Sequence, residues 1–269
     1  MERPNWAPDD VDIDRPSAAR VYDYALGGSH NFAVDRDLFR RLTATVPDLV
    51  PLAQASRAFL RRAVRFCAAA GVRQFLDIGS GIPTRGSVHE IAQRVAPDAR
   101  VVYVDIDPVA VAHSRAILAG DDRIGVVQED LRRPEHILSH PEVRRRLDFD
   151  RPMAVLLVTM LHLIADEDDP AGIVARLRDA IAPGSYLVIS HATPENRPRT
   201  VTKGVQMLQS GGIAATLRTR EQVERLFAGF EIVEPGVVWV PQWHPDIPVV
   251  IDDRRPERSI MVAGVGRKT

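Results

Sequence analysis

The run Gln74-Phe75-Leu76-Asp77-Ile78-Gly79-Ser80-Gly81 reads as a buried strand that ends in two glycines around one residue. Glycine lets a backbone turn tightly and approach a ligand where a Cβ would collide. A second apolar run, Val101-Val102-Tyr103-Val104, ends in Asp105, 24 residues beyond Gly81. A carboxylate at a strand tip can accept hydrogen bonds from both hydroxyls of a ribose. The two runs predict adjacent strands whose tips share a pocket for an adenosine-bearing cofactor.

Two cofactor classes use such a turn. A dinucleotide site wants a third glycine so that the following helix packs closely on the strand. Thr84 stands there instead, Pro83 sits in the turn, and a capping-box pattern, Ser87-Val88-His89-Glu90, delays the helix. Gly79-Ser80-Gly81 with this longer loop resembles the first motif of class I S-adenosylmethionine-dependent methyltransferases. The resemblance implies that Asp105 and Ile106 meet the ribose end, while Asp107, before Pro108, suits a helix cap. It implies that Asp130 and Leu131 hold the adenine after strand three; alternatively Asp130 pairs with Arg132 or Arg133. Thr159-Met160-Leu161-His162 resembles the segment after strand four that borders the cofactor and substrate. The cofactor-binding set is thus Gly79, Ser80, Gly81, Asp105, Ile106, Asp130, Leu131 and Thr159.

A closer resemblance covers nearly the whole chain. Ser17 to Gly28 (SAARVYDYALGG), Asn31-Phe32, Phe75 to Glu90, Ser190-His191-Ala192-Thr193 and Ala263 to Lys268 are similar to a bacterial family of S-adenosylmethionine methyltransferases with no established substrate. It implies methyl transfer from S-adenosylmethionine to an acceptor, expected to be a small molecule. Two other readings stay open: an NAD-linked oxidoreductase, and a regulatory protein that binds the cofactor without turnover.

Methyl transfer from a sulfonium needs collinear positioning above all, and a base only where the acceptor must lose a proton. Tyr22, His30 and His162 are the candidates for orienting or deprotonating an acceptor. Tyr22, Asp23, His30 and Asn31 surround Gly27-Gly28, a turn that would suit a moving cover. Each has a bland alternative: Tyr22 packing, Asp23 paired with an arginine, His162 as a buried imidazole bonded to backbone. His191 is either another cavity residue or a cap on its strand end. The Asn/Asp-Pro-Pro-aromatic motif that grips planar amines is absent after strand four. No His/Asp/Glu group has a metal-ligand spacing, so no metal is expected.

The elements that must position these residues follow from pattern. Helices are predicted over 18–26, 35–45 and 52–70, then strands and helices alternate: strands at 74–78, 101–105, 124–128, 153–158, 185–190, 230–233 and 259–265, helices at 88–96, 109–119, 171–181, 199–210 and 220–228. Continuous apolar strands such as Val155-Leu156-Leu157-Val158 imply burial on both faces. The expected fold is α/β: a Rossmann-like, seven-stranded, mostly parallel sheet with helices on both faces. A loose N-terminal arm, residues 1–16, and a helical extension whose first helix Ser17 could cap, together residues 1–71, would precede a methyltransferase domain, residues 72–269. The proline-rich stretch 234–258 is expected to be a ribbon or loop, with Trp239, Trp243 and His244 packing the sheet edge or an oligomer contact.

Composition narrows the partners. Net charge is −1, so no global field recruits nucleic acid. The clusters Arg61-Arg62 and Arg144-Arg145-Arg146 are expected to be solvated helix faces. The single cysteine, Cys67, excludes an internal disulfide and falls on an apolar helix face. No apolar run approaches the length of a membrane span, and the first 16 residues are unlike a secretory signal, so a cytoplasmic location is expected. Nothing indicates an oligomeric state.

Overall fold

A computed structural model describes residues 4, 6–9, 11–83, 86–245 and 256–269. Thr84 and residues 246–255 of the expected ribbon lie outside the described residues.

Five parallel strands form the centre of the sheet: β1 (Gln74–Ile78), β2 (Arg100–Asp105), β3 (Ile124–Gln128), β4 (Ala154–Val158) and β5 (Tyr186–Ala192). The long antiparallel β8 (Met261–Arg267) lies beside β5. Two short strands, β6 (Glu231–Ile232) and β7 (Val238–Trp239), both pair with β8. Among the described residues the sheet therefore has eight strands where seven were expected, because the predicted strand near 230 is interrupted and resumes as β7. The order is β3-β2-β1-β4-β5-β8-β6. The chain reverses its direction of travel across the sheet between β1 and β4, where an open parallel sheet leaves a crevice at its carboxyl ends.

Helices cover both faces. α1 (Ala18–Ala25), α2 (Ala33–Thr45) and α3 (Leu49–Ala69) come first. α4 (Val88–Val95), α5 (Pro108–Ile117), α6 (Pro134–Ser139), α7 (Pro141–Arg146), α8 (Pro170–Ala180), α9 (Pro198–Ser210) and α10 (Arg220–Arg225) follow. α3 presents Phe59, Ala63, Val64 and Cys67 to Phe75, Val188 and Val265 of the sheet, in one core. Burial pushes the Cys67 thiol up, so it behaves as a small hydrophobe. Trp243 is fully buried, edge-on to Phe59 and Phe66, as a sheet-packing residue should be.

Several local expectations are corrected. The arm is not loose: Ala7 and Val11 are buried with Phe32, Ile82 and Val109, and Trp6 stacks on Phe32 at 5.1 Å. Ser17 makes no side-chain cap; its N–H donates instead to Asp35 Oδ1 at 3.0 Å. In the Ser87 motif, Glu90 accepts from Gly86 N–H rather than from the cap residue. Two arginines of the supposedly solvated clusters are buried. Arg62 donates to Trp243 O and Val240 O, both at 2.7 Å, and Arg146 donates to Ile124 O at 2.7 Å. Each satisfies backbone carbonyls that sheet and loop leave unpaired.

Candidate active site

β1 ends at the sheet's reversal point, and Gly79 (φ 74°) and Gly81 (φ 65°) turn the chain in the left-handed region. The N–H groups of Gly79 and Ser80 donate to Val104 O at 2.8 and 3.1 Å, which holds the turn against β2. A Cβ on Gly79 would overlap the Met160 side chain. The glycine is thus required both by backbone conformation and by the approach of the segment after β4.

Asp105, at the tip of β2, accepts from Gly81 N–H (Oδ2, 2.7 Å) and from Asp107 N–H (Oδ1, 2.9 Å). Burial pushes its carboxyl up to about 6 despite those two bonds. Asp107 caps α5, accepting from Val109 and Ala110 N–H at 2.8 and 3.2 Å. Its other oxygen meets Arg20 Nη1 at 3.3 Å, and Arg20 Nε in turn meets Asp35 at 3.0 Å. The N-terminal helices are thereby ionically fastened to the start of α5.

These strand tips border a cavity of about 340 Å³, which Asp105, Ile106, Asp130, Leu131 and Thr159 all line. Ile106 is 53% exposed and offers an apolar surface for a base. Asp130 faces the cavity, yet both its oxygens are engaged by Arg132, at 2.6 to 3.0 Å. Thr159 has a φ of 59°, a strained conformation for a β-branched residue. Its N–H donates to Ser190 Oγ at 2.9 Å, and its hydroxyl is 2.6 Å from Ser56 Oγ.

The three acceptor-side candidates separate. Tyr22 lines the cavity, donates to Ala53 O at 3.2 Å, and burial raises its phenol above the ordinary value. His162 also lines it; burial and then Arg218 push the imidazole down to about 4, so it is neutral near pH 7. Its Nδ1 is buried without a hydrogen-bond partner. His30 is not brought to the cavity. Its ring lies 3.6 Å from that of His113 and edge-on to Trp6 at 5.4 Å. The cause is Asp23, whose Oδ2 accepts from His30 N–H at 3.0 Å and from Asn31 Nδ2 at 2.8 Å. A Cβ on Gly28 would overlap that carboxyl, so the second glycine makes room for Asp23. Asp23 therefore holds this turn instead of pairing with an arginine.

His191 is fully buried and serves the backbone. Arg218 Nη1 donates to its Nε2 at 2.9 Å, which leaves Nδ1–H to donate to Ala192 O at 2.7 Å. Arg218 also donates to Leu161 O and Ile164 O, at 2.9 and 3.1 Å, and so fixes the turn that carries His162.

Sequence reasoning passed over Ser56, Arg57 and Asp77, all of which line the cavity. Asp77 gave a signal: it is a carboxylate inside an otherwise apolar strand, a costly placement without a purpose. Burial raises it to about 7, opposed by Arg57. Ser56 and Arg57 gave none, because one face of a long amphipathic helix tolerates small polar residues anywhere.

The family model for S-adenosyl methyltransferases matches residues 4–269. The chain belongs to that S-adenosyl methyltransferase family. A Thermobifida fusca YX protein assigned as a methyltransferase is 46% identical over 99% of this chain and 100% of its own, with a TM-score of 0.93. A DUF574 family protein from Streptomyces avermitilis MA-4680 is 40% identical over 96% of this chain and 100% of its own, with a TM-score of 0.91. An O-methyltransferase family protein from Burkholderia thailandensis shares the fold at 15% identity and a TM-score of 0.53, over 82% of this chain and 59% of its own. No curated protein matches the chain.

This methyltransferase is therefore an enzyme whose cofactor is S-adenosylmethionine. Nothing in the comparisons supports the NAD-linked or the non-catalytic reading. The strand tips fit the cofactor: the turn at Gly79 admits no side chain, and buried carboxyls at Asp77 and Asp105 face a cavity beside it.

Proposed function

We propose that the methyltransferase acts on a small molecule held between its N-terminal helices and α9, with adenosine at the strand tips. Gly79, Ser80 and Gly81 would pass beneath the cofactor, Asp105 would take the ribose hydroxyls, and Ile106 and Leu131 would pack on the base. Asp130 would meet the exocyclic amine by sharing its carboxylate with Arg132. Thr159 would border the donor end, and Asp77 suits the cofactor's ammonium group.

One observation carries this reading. The cavity that begins at the strand tips runs on without interruption into a compartment walled by α1, α2, α3 and α9. The extension would thus cover the acceptor, and the acceptor would meet the cofactor's methyl group away from bulk water.

When bound, the sulfonium supplies a methyl carbon: the acceptor's lone pair forms the new bond and the carbon–sulfur pair returns to sulfur. The protein's own part is positioning and proton handling. Tyr22 and Ser56 orient the acceptor's polar atom. His162, neutral at physiological pH, can accept its proton.

The test is calorimetry with S-adenosylhomocysteine and S-adenosylmethionine, followed by transfer of labelled methyl into a small-molecule extract. Saturable binding and label in a low-mass product are expected. Label in protein or nucleic acid alone would overturn the small-molecule assignment.

A further inference from the structure

We propose that the acceptor is a neutral, largely apolar small molecule bearing a hydroxyl, typified by a fused-ring phenol, bound with that hydroxyl toward Tyr22, Ser56 and His162. This deepens the methyltransferase reading above and rests on it.

The cavity lining is segregated by charge. Its charged side chains, Arg57, Asp77, Asp105, Asp107, Glu129 and Asp130, gather at the strand-tip end. Arg57 belongs to that end because it also shares a small side recess with Asp77, Ser80 and Gly81. The far wall is built differently. Among the described lining residues contributed by α1, α2, the start of α3 (residues 49–53), α9 and residues 213–217, the one ionisable side chain is Tyr22. Val21, Leu42, Leu49, Leu208 and Ile213 typify that wall. Tyr22, Ser56, Thr159 and His162 supply polar side chains to the same lining, and Ser56 Oγ lies 2.6 Å from Thr159 Oγ1 in the segment after β4.

This distribution decides between acceptor classes. A carboxylate or ammonium placed among these aliphatic side chains would lose its hydration with no counter-ion to replace it. The two ionisable groups among those four polar side chains do not supply one: burial keeps Tyr22 a phenol and His162 an uncharged imidazole. A neutral ring loses no charge hydration there and gains from the apolar surface removed from water.

The nucleophile follows from the same logic. An aliphatic amine arrives protonated and would seek a carboxylate, yet the carboxylates lie on the cofactor side. A hydroxyl arrives neutral and can donate to His162 while it accepts from whichever hydroxyl of the Ser56–Thr159 pair is not the donor between them. On transfer its oxygen lone pair forms the bond to carbon, the carbon–sulfur pair goes to sulfur, and the hydroxyl proton passes to His162.

The full chain, saturated with S-adenosylhomocysteine, is titrated with 2-naphthol, 2-naphthoate and 2-naphthylmethylammonium, which share one ring system and differ in charge. We expect 2-naphthol to bind at least tenfold more tightly than either ion. Leu208→Asp, on the partly buried α9 face, should weaken 2-naphthol at least tenfold and leave S-adenosylhomocysteine affinity within twofold. Equal or tighter binding of either ion overturns the proposal, as does failure of all three to bind to protein that holds S-adenosylhomocysteine. If Leu208→Asp does not fold, the three-ligand comparison on the unaltered chain still decides. Failure to bind S-adenosylhomocysteine at all would instead overturn the cofactor assignment, so the two failures are distinguishable.

Discussion

Ser56 Oγ lies 2.6 Å from Thr159 Oγ1, so α3 of the N-terminal extension is hydrogen-bonded to the residue that follows β4. Thr159 is also the site of backbone strain, with a φ of 59°. The hydroxyl contacts and the cavity wall that depends on them hold the residue in a conformation that a β-branched side chain otherwise avoids. Thr159→Val keeps the shape and the strain but deletes the hydroxyl, and should cost about 1–3 kcal/mol. Thr159→Gly loses the same bonds but escapes the roughly 1–2 kcal/mol penalty of the left-handed region, so it should be the milder change. Urea denaturation of both variants checks the order; a valine variant as stable as the glycine one would show that φ carries no cost here.

Gly79 is fixed by two independent constraints, its φ of 74° and the Met160 side chain that occupies the place of a Cβ. Gly79→Ala should therefore abolish measurable S-adenosylhomocysteine binding at concentrations that saturate the unaltered chain. Adding Met160→Ala relieves the overlap but leaves the backbone penalty of about 1–2 kcal/mol. Calorimetry on the double variant should recover part of the affinity, within about 5–30-fold of the original. Full recovery would mean that crowding alone selects the glycine.

The features that define the cofactor end were legible because each has a local cause. The glycine turn, the strand-tip carboxylate and the cap at Asp107 are set by residues within a few positions of one another. Positions that depend on distant packing were not. The helices α6 and α7 escaped prediction because each is six residues long, too short to show a period, and His140-Pro141 splits them. β7 escaped because the irregular stretch around it pairs only through the distant β8. His30 was misplaced since nothing local reveals that Asp23 turns it toward Trp6 and His113. The apolar acceptor wall draws its residues from four helices and a loop, an assembly no single window of sequence displays.

Asp77 and Asp105 give the protein a pH signature. Burial raises them from 3.8 to about 7 and about 6. A carboxyl whose folded value is raised contributes stability that is complete below its unfolded value and is lost as pH rises through the folded one. These two groups therefore favour the free protein more at pH 5 than at pH 8. The proposed contacts with ammonium and ribose would want them ionised, so S-adenosylhomocysteine affinity should rise at least about tenfold from pH 5 to pH 8. His162, lowered to about 4, acts oppositely on stability: its contribution is present above 6.5 and is lost as pH falls through 4. Asp105→Asn separates the effects. It should remove the affinity step near pH 6, keep the step near 7, and weaken binding at pH 8 by about 1.5–3 kcal/mol. Calorimetry across this range checks it, and a pH-independent dissociation constant would show that neither carboxyl touches the cofactor.

Arg20 joins the two halves of the site, since it meets Asp35 in α2 and Asp107, whose N–H in turn donates to Asp105. All four side chains are buried. Removing the cation leaves two buried carboxylates with backbone N–H donors but no counter-ion, which costs about 3–5 kcal/mol for a buried pair. Arg20→Met should lower stability by that amount and also weaken S-adenosylhomocysteine binding, because the cap on α5 loses its outer anchor. Adding Asp35→Asn removes one orphaned charge and should restore part of the stability, while affinity stays low because Asp107 is still unanchored. Denaturation and binding measured on the same three proteins separate these outcomes. If affinity recovered in step with stability, the arginine would act on the fold as a whole and not through the Asp107–Asp105 link.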